Sequence, residues 1–426
     1  MTTVIKNGTV YQNGRLLQAD VLIEKNKVKA IGQDLTGDHV IDASGKLVSP
    51  GLVDVHVHYR DPGQTYKEDI HTGSLAAAHG GFTTVGAMPN VTPVPNTPSL
   101  IKKMIAENKK KGVVHILQYA PVTVDQTSDE IPDYAALKKA GAFALSNDGH
   151  GIQSAQTMYL AMQKAKENNL IIASHCQDNA LYQKGVINEG EKAKELNLPP
   201  ITELAETTQI ARDLLLAQKT GCHYHICHVS TATSVDLVRI AKARGINVTC
   251  EAAPHYLLLT DSDIPSDNPY FKMNPPLRSK EDQAALVVGL LDGTIDFIAT
   301  DHAPHAKSEK EGSFRNSAFG ITGSETAFST LYTKYVKTGI IKLEKLLSLM
   351  SDVPADKFGL KNCGHLEAGA EADIAIFDLK HEAEIKEEDY LSKGVNSPFT
   401  GEKIYGQTVM TIVSGKVVYE RGEENE

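Results

Sequence analysis

The sequence has no run of about eighteen or more uninterrupted apolar residues, and its hydrophobic fraction of 41% is ordinary for a globular protein. A membrane span is therefore not expected. The opening segment, MTTVIKNGTV, lacks a basic region followed by a long apolar stretch, so we expect no secretory signal. Together these two absences predict a cytoplasmic protein.

Cysteine is scarce, and no two cysteines stand in a C-x-x-C pair. The chain has five cysteines in 426 residues, an odd number that does not suggest a disulfide framework. We therefore expect reduced thiols at all five positions. They are Cys176, Cys222, Cys227, Cys250 and Cys363.

Clusters of positive charge are also missing. The net charge is −10, and no basic run or basic patch interleaved with aromatic residues occurs along the chain. This composition argues against a nucleic-acid partner. A small anion held by one or two local cations is still compatible with it.

Both ends of the chain show short alternating strands with tight turns. Near the N-terminus the turn dipeptides are Asn7-Gly8 and Asn13-Gly14, and Ser414-Gly415 marks a similar hairpin near the C-terminus. Neither end is long enough to bury a stable core alone. We therefore predict one small β-sandwich module formed by residues 1–50 together with residues 365–426.

Residues 51–364 show a different pattern, in which apolar, β-branched runs alternate with helical segments. The runs are GLVDVHVH, GFTTVGAM, VVHILQYA, GAFALSND, LIIASHC, CHYHICHVS, INVTCEAAPH and IDFIATDHAPH. Strands in alternation with helices predict the α/β fold class and a TIM-like (β/α)8 barrel. An open doubly wound sheet is the alternative. No G-x-G-x-x-G follows the first strand and no G-x-x-x-x-G-K-[ST] occurs in the sequence, so nucleotide-binding forms of that sheet are not supported.

Polar residues stand where several of these strands end. In a barrel of this type the active site lies at the carboxyl ends of the strands, so these residues should meet. Nitrogen and oxygen ligands of this kind suit zinc, and their number exceeds what one catalytic zinc needs. We therefore predict two zinc ions bridged by hydroxide and Asp148, with Asp301 accepting a proton from the bridging water. The candidate ligands are His56, His58, Asp148, His175, His228 and Asp301.

The other histidines of the sixth strand are assigned by strand parity, since residues at i and i+2 share a face. In CHYHICHVS, His228 has the parity of Tyr224 and Ile226, whereas His223 and His225 have the other. We therefore predict that His223 and His225 pack or form hydrogen bonds between the sheet and the helices.

Arg60 indicates a substrate that carries a carboxylate. It follows His58 by two residues, which is about 7 Å along a strand and matches the distance across a six-membered ring from an attacked carbonyl to a carboxylate. Its planar guanidinium group can hold a carboxylate through two hydrogen bonds, with Asn90 and His305 as neutral helpers.

Taken together, several motifs resemble the class I bacterial dihydroorotases of the amidohydrolase superfamily. They are HVHYRDPG, MPNVTPVPNT, SNDGHG, SHCQDN, CHVST, KMNPPLRS and ATDHAPH, and the split β module also matches. The resemblance implies a zinc-dependent cyclic amide hydrolase that interconverts N-carbamoyl-L-aspartate and L-dihydroorotate in pyrimidine biosynthesis. We also expect a homodimer.

The resemblance carries over residue by residue. The six candidate ligands fall on the metal positions of the family, and Asp301 on the catalytic one. The positions that bind substrate fall on His58, Arg60, Asn90, Asn274, His305, Phe319 and Gly320.

The chain departs from its relatives at a few positions. Asp148 stands where many members of the superfamily carry a carboxylated lysine, and a short carboxylate spans two ions less readily, which leaves the number of metal ions open. Tyr59 and Asp61 stand where leucine and glutamate are more common. Both lie beside key residues, and we attach little weight to them.

Two other functions compete with this interpretation. A hydantoinase, dihydropyrimidinase or allantoinase would act on a cyclic amide without the carboxylate that Arg60 is expected to bind. A non-catalytic barrel, serving as a scaffold or as a partner subunit in a pyrimidine-pathway complex, should have lost ligands. All six candidate positions are filled, which favours an enzyme.

Overall fold

A computed structural model describes residues 1–422 of the chain, and its first strands are joined by tight turns. Asn7 and Asn13 lie at φ values of 63° and 49°, a left-handed conformation that asparagine tolerates better than most residues. Asn13 thereby allows the hairpin between the first two strands. The N-terminal strands are β1 (Thr2–Gln12), β2 (Arg15–Glu24), β3 (Lys27–Gly32), β4 (His39–Asp42) and β5 (Leu47–Pro50).

The central part of the chain contributes two parallel sheets. One has the order β6-β7-β8, the other has the order β9-β10-β13-β14-β15, and β11 pairs only with β12. Their bounds are β6 (Leu52–Val57), β7 (Phe82–Ala87), β8 (His115–Gln118), β9 (Leu145–Ser146), β10 (Ile172–Ser174), β11 (Ile187–Asn188), β12 (Pro200–Ile201), β13 (Tyr224–Ile226), β14 (Val248–Ala252) and β15 (Phe297–Ile298).

Isolated parallel bridges connect the edges of the two central sheets. Ala120 pairs with Leu145, which links the end of β8 to β9, and Val57 pairs with His302, which links β6 to the segment after β15. Since helices alternate with these parallel strands, the architecture is α/β and TIM-barrel-like.

The C-terminal strands join the N-terminal ones in a single eight-stranded sheet. Its order is β20-β19-β16-β5-β1-β2-β3, with β4 paired to β1, and β17 pairs separately with β18. Val10, Val48, Ile374 and Ile412 belong to the apolar cluster that this sheet buries. The added strands are β16 (Ile374–Asp378), β17 (Ala383–Glu384), β18 (Lys403–Ile404), β19 (Gln407–Val413) and β20 (Lys416–Glu420).

Side chains that cap the first turn fix where several helices begin. The Thr97 hydroxyl accepts a hydrogen bond from the Leu100 backbone N–H, and Ser279 forms a reciprocal capping box with Asp282. Within residues 1–422, no helix is long and apolar enough to cross a membrane. The helices are α1 (Ile70–His79), α2 (Pro98–Lys111), α3 (Tyr134–Ala140), α4 (Ala155–Glu167), α5 (Asn179–Tyr182), α6 (Glu191–Glu195), α7 (Leu204–Thr220), α8 (Ala232–Ala243), α9 (Pro254–Leu258), α10 (Lys280–Asp292), α11 (Ala327–Leu331), α12 (Leu343–Met350) and α13 (Asp352–Lys357).

An irregularity in β6 positions the first candidate ligands. Val55 belongs to one buried cluster of the central strands, whereas Val57 belongs to the larger cluster between strands and helices. The register of β6 against β7 shifts between Asp54 and Val57. His56 consequently faces inward, as Val55 does, although the two are adjacent in sequence.

Candidate active site

The structure brings the candidate ligands together around Asp148. Its Oδ1 atom lies 3.3 Å from His56 Nε2 and 3.4 Å from His228 Nε2, and its Oδ2 atom lies 3.3 Å from His58 Nε2. Asp148 is itself only 4% exposed. A carboxylate in this position touches imidazoles from two separate parts of the chain, as a bridging ligand would.

Asp301 and His175 complete the cluster on opposite sides of Asp148. Asp301 Oδ1 lies 3.1 Å from His58 Nε2, and His175 Nδ1 lies 3.0 Å from His228 Nε2. Two groups of three ligand atoms result, each with all its atoms within 4.8 Å of one another. One group is His56, His58 and Asp301, and the other is Asp148, His175 and His228.

Buried polar atoms without hydrogen bonds indicate what this cluster can hold. Among the described residues, His56 Nε2, Asp148 Oδ1 and His228 Nδ1 are buried and have no hydrogen-bond partner. Leaving such atoms unpaired is costly, and imidazole nitrogen with carboxylate oxygen is a donor set that zinc and similar divalent ions prefer. The residues present therefore fit a metal ion.

The pKa shifts of His175 and Asp148 agree with metal ligation, whereas those of the other two ligands with a resolved imidazole shift, His56 and His58, are upward. Burial, followed by the nearby charge of His228, lowers the pKa of His175 to about 4, so its imidazole is neutral at pH 7. Burial acts to raise the pKa of Asp148, but the charge of His56 and the adjacent His228 hold it well below the usual value. A neutral imidazole and an ionised carboxylate are the forms that bind a cation.

Three residues of the site have backbone conformations that are rare outside glycine. The φ angles are 56° at Arg60, 35° at His228 and 50° at Asp301. Left-handed backbone at non-glycine residues is uncommon and concentrates at functional sites. These angles turn the side chains at the ends of strands in directions that simple alternation does not give.

The parity argument for His228 was wrong in its reason, although His228 lies in the cluster. Tyr224 and Ile226, which should share its face, lie in the outer layer between strands and helices. His228 instead points inward because its positive φ interrupts the extended backbone. Parity holds only while the strand stays extended.

His225 packs and forms hydrogen bonds, as predicted, but its expected place was wrong, because the side chain lies on the other face of the strand from Tyr224 and Ile226. Its ring stacks on Phe297 with centroids 5.3 Å apart, and Nδ1 lies 2.9 Å from the Thr249 hydroxyl. His223 Nε2 lies 2.9 Å from the same hydroxyl. Both histidines therefore form hydrogen bonds below the cluster and not between sheet and helices.

Glu251 is a residue of the site that the sequence analysis missed. Its Oε1 accepts a hydrogen bond of 2.6 Å from His56 Nδ1, and its Oε2 lies 3.0 Å from His225 Nε2. A carboxylate on the far nitrogen of a ligating histidine fixes the tautomer and turns the other nitrogen toward the metal. The signal available in the sequence was a glutamate inside the otherwise apolar strand VTCEA.

Amide side chains orient two further histidines. His58 Nδ1 donates to Asn90 Oδ1 at 2.9 Å, and His175 Nε2 donates to Gln177 Oε1 at 3.2 Å. Asn274 Nδ2 donates to the same Gln177 oxygen at 2.7 Å. Asn90 and Asn274, both predicted to bind substrate, thus lie next to the cluster.

A cavity of about 290 Å³ opens above the cluster. All seven predicted substrate-binding residues line it, together with four of the six candidate ligands. Its lining includes His58, Arg60, Asn90, Asp148, His175, Asn274, Asp301, His305, Phe319 and Gly320.

Arg60 marks the end of this cavity that suits a carboxylate. The side chain is 8% exposed, Nε donates to the Pro304 carbonyl at 3.3 Å, and Nη2 lies 3.4 Å from His305 Nε2. Within the described residues, Arg60 forms no ion pair with a carboxylate. A buried guanidinium group without an anionic partner is well suited to bind an anionic ligand.

A larger cavity of about 560 Å³ opens at the other end of the central strands, near His115, where β8 begins. Leu117 and Cys363 are among its lining residues. Since active sites of barrel enzymes lie at the carboxyl ends of the strands, we assign the chemistry to the smaller cavity.

Comparisons with known families agree on one group of enzymes. Residues 45–234 match the family described as dihydro-orotase-like, and residues 334–419 match the amidohydrolase family. A dihydroorotase of Lactobacillus helveticus is 77% identical over 425 residues, which cover 100% of both chains. A dihydroorotase of Ligilactobacillus salivarius is 62% identical over 430 residues, again covering 100% of both chains.

Solved structures of cyclic amide hydrolases are similar in fold. The L-hydantoinase (dihydropyrimidinase) from Arthrobacter aurescens matches with a TM-score of 0.89 at 28% identity, covering 99% of this chain and 96% of the other. The dihydropyrimidinase from Brevibacillus agri matches with a TM-score of 0.85 at 25% identity, covering 99% of this chain and 95% of the other.

Proposed function

This chain belongs to the dihydroorotase family of cyclic amide hydrolases, and we propose that the cluster around Asp148 is its active site. The reaction is the reversible cyclisation of N-carbamoyl-L-aspartate to L-dihydroorotate and water, a step of pyrimidine biosynthesis. One observation carries the assignment to this site: an arginine that forms no ion pair with any described residue lines the same cavity as the histidine and aspartate cluster.

We propose that the cluster holds two zinc ions, bridged by Asp148 and a hydroxide. His56, His58 and Asp301 would hold one ion, and His175 and His228 would hold the other together with Asp148. Bound there, zinc would lower the pKa of water toward about 7 and polarise a carbonyl oxygen. Support comes from the unpaired buried atoms of His56 and Asp148, which a cation would satisfy.

Asp301 is proposed to carry the proton in both directions. In ring opening, a water oxygen attacks the ring carbonyl carbon next to nitrogen, and the bond between that carbon and nitrogen then breaks. Asp301 takes the proton that the water releases and passes it to the departing nitrogen. Ring closure reverses these steps, with the proton moving from nitrogen through Asp301 to the leaving water.

Residues at the other end of the cavity orient the substrate. Arg60 would pair with the carboxylate of either substrate, with Asn90 and His305 as additional hydrogen-bonding groups. Burial, followed by the charge of Arg60, lowers the pKa of His305, so this imidazole is neutral at pH 7. Neutral His305 can donate or accept a hydrogen bond without competing with Arg60 for the anion.

Hydantoinase or dihydropyrimidinase activity is the second candidate, because the solved structures of similar fold have these functions. Their names describe cyclic amides without the ring carboxylate of dihydroorotate. Arg60 would then have no anionic partner from the substrate, which makes this candidate the weaker one.

Steady-state assays on the purified, zinc-loaded protein separate the two candidates. We expect turnover of L-dihydroorotate and N-carbamoyl-L-aspartate, with kcat/KM for hydantoin and dihydrouracil lower by about 10³-fold or more, since a buried charge would lack its partner. Turnover of hydantoin or dihydrouracil without turnover of dihydroorotate would overturn the assignment.

Two further proposals concern the architecture around the site. We propose that the bridges Ala120–Leu145 and Val57–His302 close the central strands into a (β/α)8 barrel of residues 51–364. Residues 1–50 and 365–422 would form the β-sandwich module, supported by the sheet that both ends share, and residues 423–426 of the predicted module lie outside the described residues. A homodimer and a cytoplasmic location stay predictions, and sedimentation analysis of the purified chain tests the first.

A further inference from the structure

Two lysines beside the cavity are almost completely buried. Lys272 is 2% exposed and Lys310 is 3% exposed. Neither forms an ion pair with a carboxylate among residues 1–422. Lysine is seldom buried without an anionic partner, because removing its charge from water is costly. The burial of two lysine side chains at this place therefore needs a specific explanation.

The ammonium group of Lys310 donates hydrogen bonds to three backbone carbonyls. Its Nζ atom donates to Lys272 O at 3.0 Å, Ala318 O at 2.9 Å and Gly320 O at 2.9 Å. An ammonium group has three N–H donors, and here each has one carbonyl acceptor. The geometry therefore matches the charged form of Lys310.

Lys272 reaches into the same segment from the opposite side. Its Nζ atom donates to Ser317 O at 2.6 Å and to Phe314 O, and it lies 4.2 Å from the centre of the Phe319 ring. Such a contact adds a cation–π attraction to the hydrogen bonds. The backbone of Lys272 also takes part, because its carbonyl accepts from Gly320 N at 3.1 Å.

These contacts connect the two long segments that follow β14 and β15. Lys272 belongs to the first segment, whereas Lys310 and residues 314–320 belong to the second. Phe319 and Gly320, which line the cavity and are predicted from the sequence to bind substrate, both contact these lysines. The two segments are thus tied into one unit over the cavity.

The tied segment touches the residues that face the substrate carboxylate. Phe319 O accepts a hydrogen bond of 2.7 Å from His305 Nε2, and His305 in turn lies beside Arg60. Gly320 has φ 129°, and a Cβ placed there would lie 2.8 Å from Ala303 O and 3.2 Å from His305 Nε2. A displacement of this backbone would therefore move His305 directly.

We propose that Lys272 and Lys310 are positioning residues that fasten the segment 314–320 against His305 and so shape the binding site for the substrate carboxylate. This inference rests on the proposed function. Neither lysine touches the reacting atoms, so their removal should weaken substrate binding more than it slows the chemical step.

Burial and neighbouring charges make the hydrogen bonds of Lys272 and Lys310 to the segment 314–320 sensitive to pH. Burial, followed by the charge of Lys272, lowers the pKa of Lys310 to about 7, and burial lowers that of Lys272 to about 8 against an opposing effect of Asp267. His305 is a further titratable group that faces Lys310. Each lysine that loses its proton also loses one N–H donor, so the segment should loosen as pH rises above about 7 to 8.

The direct test compares Lys310→Met and Lys272→Met with Lys307→Met. Lys307 lies on the same segment, but its side chain is 67% exposed. For zinc-loaded protein we expect KM for L-dihydroorotate to rise about tenfold or more in the first two variants, with kcat and zinc content nearly unchanged. The Lys307 variant should match the parent.

The pH profile distinguishes this role from a purely structural one. In the parent, KM for L-dihydroorotate should rise from pH 6.5 to pH 9, whereas a variant with both Lys310→Met and Lys272→Met should show a high and much flatter KM across this range. Variants with parental KM at normal zinc content would overturn the inference. A parent that does not turn over dihydroorotate would instead overturn the proposed function.

A measurement on the parent alone covers the case in which both variants fail to fold. Hydrogen exchange at the Gly320 amide, corrected for its intrinsic pH dependence, should lose about tenfold in protection between pH 6 and pH 9. The Thr322 amide, which donates to Asn396 O at 3.1 Å, contacts neither lysine and is the internal control. Constant protection at Gly320 would contradict the inference.

Discussion

Two regions between the central strands contain the same residue types with different hydrogen bonding: an upper part around Asp148 and a lower part around His225. In the lower part, both ring nitrogens of His225 have partners, Thr249 and Glu251, and its ring stacks on Phe297. In the upper part, His56 Nε2 and Asp148 Oδ1 are equally buried but have no hydrogen-bond partner among the described residues. His225 thus has its hydrogen bonds satisfied by the protein, whereas, among the described residues, His56 Nε2 and Asp148 Oδ1 are left available for a cation.

Glu251 joins the two parts. One of its oxygens accepts from His56 above, and the other faces His225 below. The satisfied network of the lower part therefore holds the orientation of a ligand in the upper part. Changing residues on either side of Glu251 should separate effects on chemistry from effects on metal binding and on stability.

The largest effect is expected in the upper part, at Asp301. Asp301→Asn keeps the size of the side chain but removes its ability to take a proton. Since Asp301 is also a proposed zinc ligand, the variant is compared at the parental zinc content, where we expect kcat for L-dihydroorotate to fall by about 10³-fold. Thermal unfolding should show little change in stability. A variant that keeps more than a tenth of the parental kcat would exclude Asp301 as the proton carrier.

An intermediate effect is expected at the junction. Glu251→Gln removes the negative charge that fixes the Nδ1–H tautomer of His56, and we expect zinc affinity to weaken by about 10- to 100-fold. Competition with a chromogenic chelator measures this affinity without any assay of activity. Gln177→Leu is a matched comparison at His175. An unchanged zinc affinity in the Glu251 variant would show that Glu251 does not orient His56 for metal binding.

The smallest effect on chemistry is expected from the lower part. Phe358 contacts His225 and Phe297 edge to face, with ring centroids 5.0 Å and 6.0 Å away. Phe358→Ala should lower the free energy of unfolding by about 3 kcal/mol because it leaves a cavity. Urea unfolding measures this loss, while zinc content and kcat should stay near parental values. A large loss of bound zinc would show that the two parts are not separable.

Much of this arrangement could be predicted from the sequence. Apolar runs located the central strands, and the polar residues at their ends include all six side chains of the cluster. This works because parallel strands of a barrel all end on one face. The turn dipeptides likewise indicated the short strands near both termini.

The directions of individual side chains could not be predicted in the same way. His228 and Asp301 have positive φ, and β6 has an irregular register, so alternation fails at the site itself. Glu251 was missed because its role depends on His56, a residue 195 positions away in the chain. Contacts of this range depend on the packed fold and leave only a weak local signal, here a charged residue in an apolar strand.

The central claim is that the upper part, where buried atoms of His56 and Asp148 lack hydrogen-bond partners among the described residues, is a metal-dependent dihydroorotase site. Stepwise metal replacement tests this claim most directly. The protein is stripped with a chelator, zinc is returned in measured amounts, and bound zinc and L-dihydroorotate turnover are recorded together. We predict no turnover in the stripped protein and a linear return that reaches its maximum at two ions per chain, as in other two-metal sites. Full turnover by the stripped protein would contradict the account.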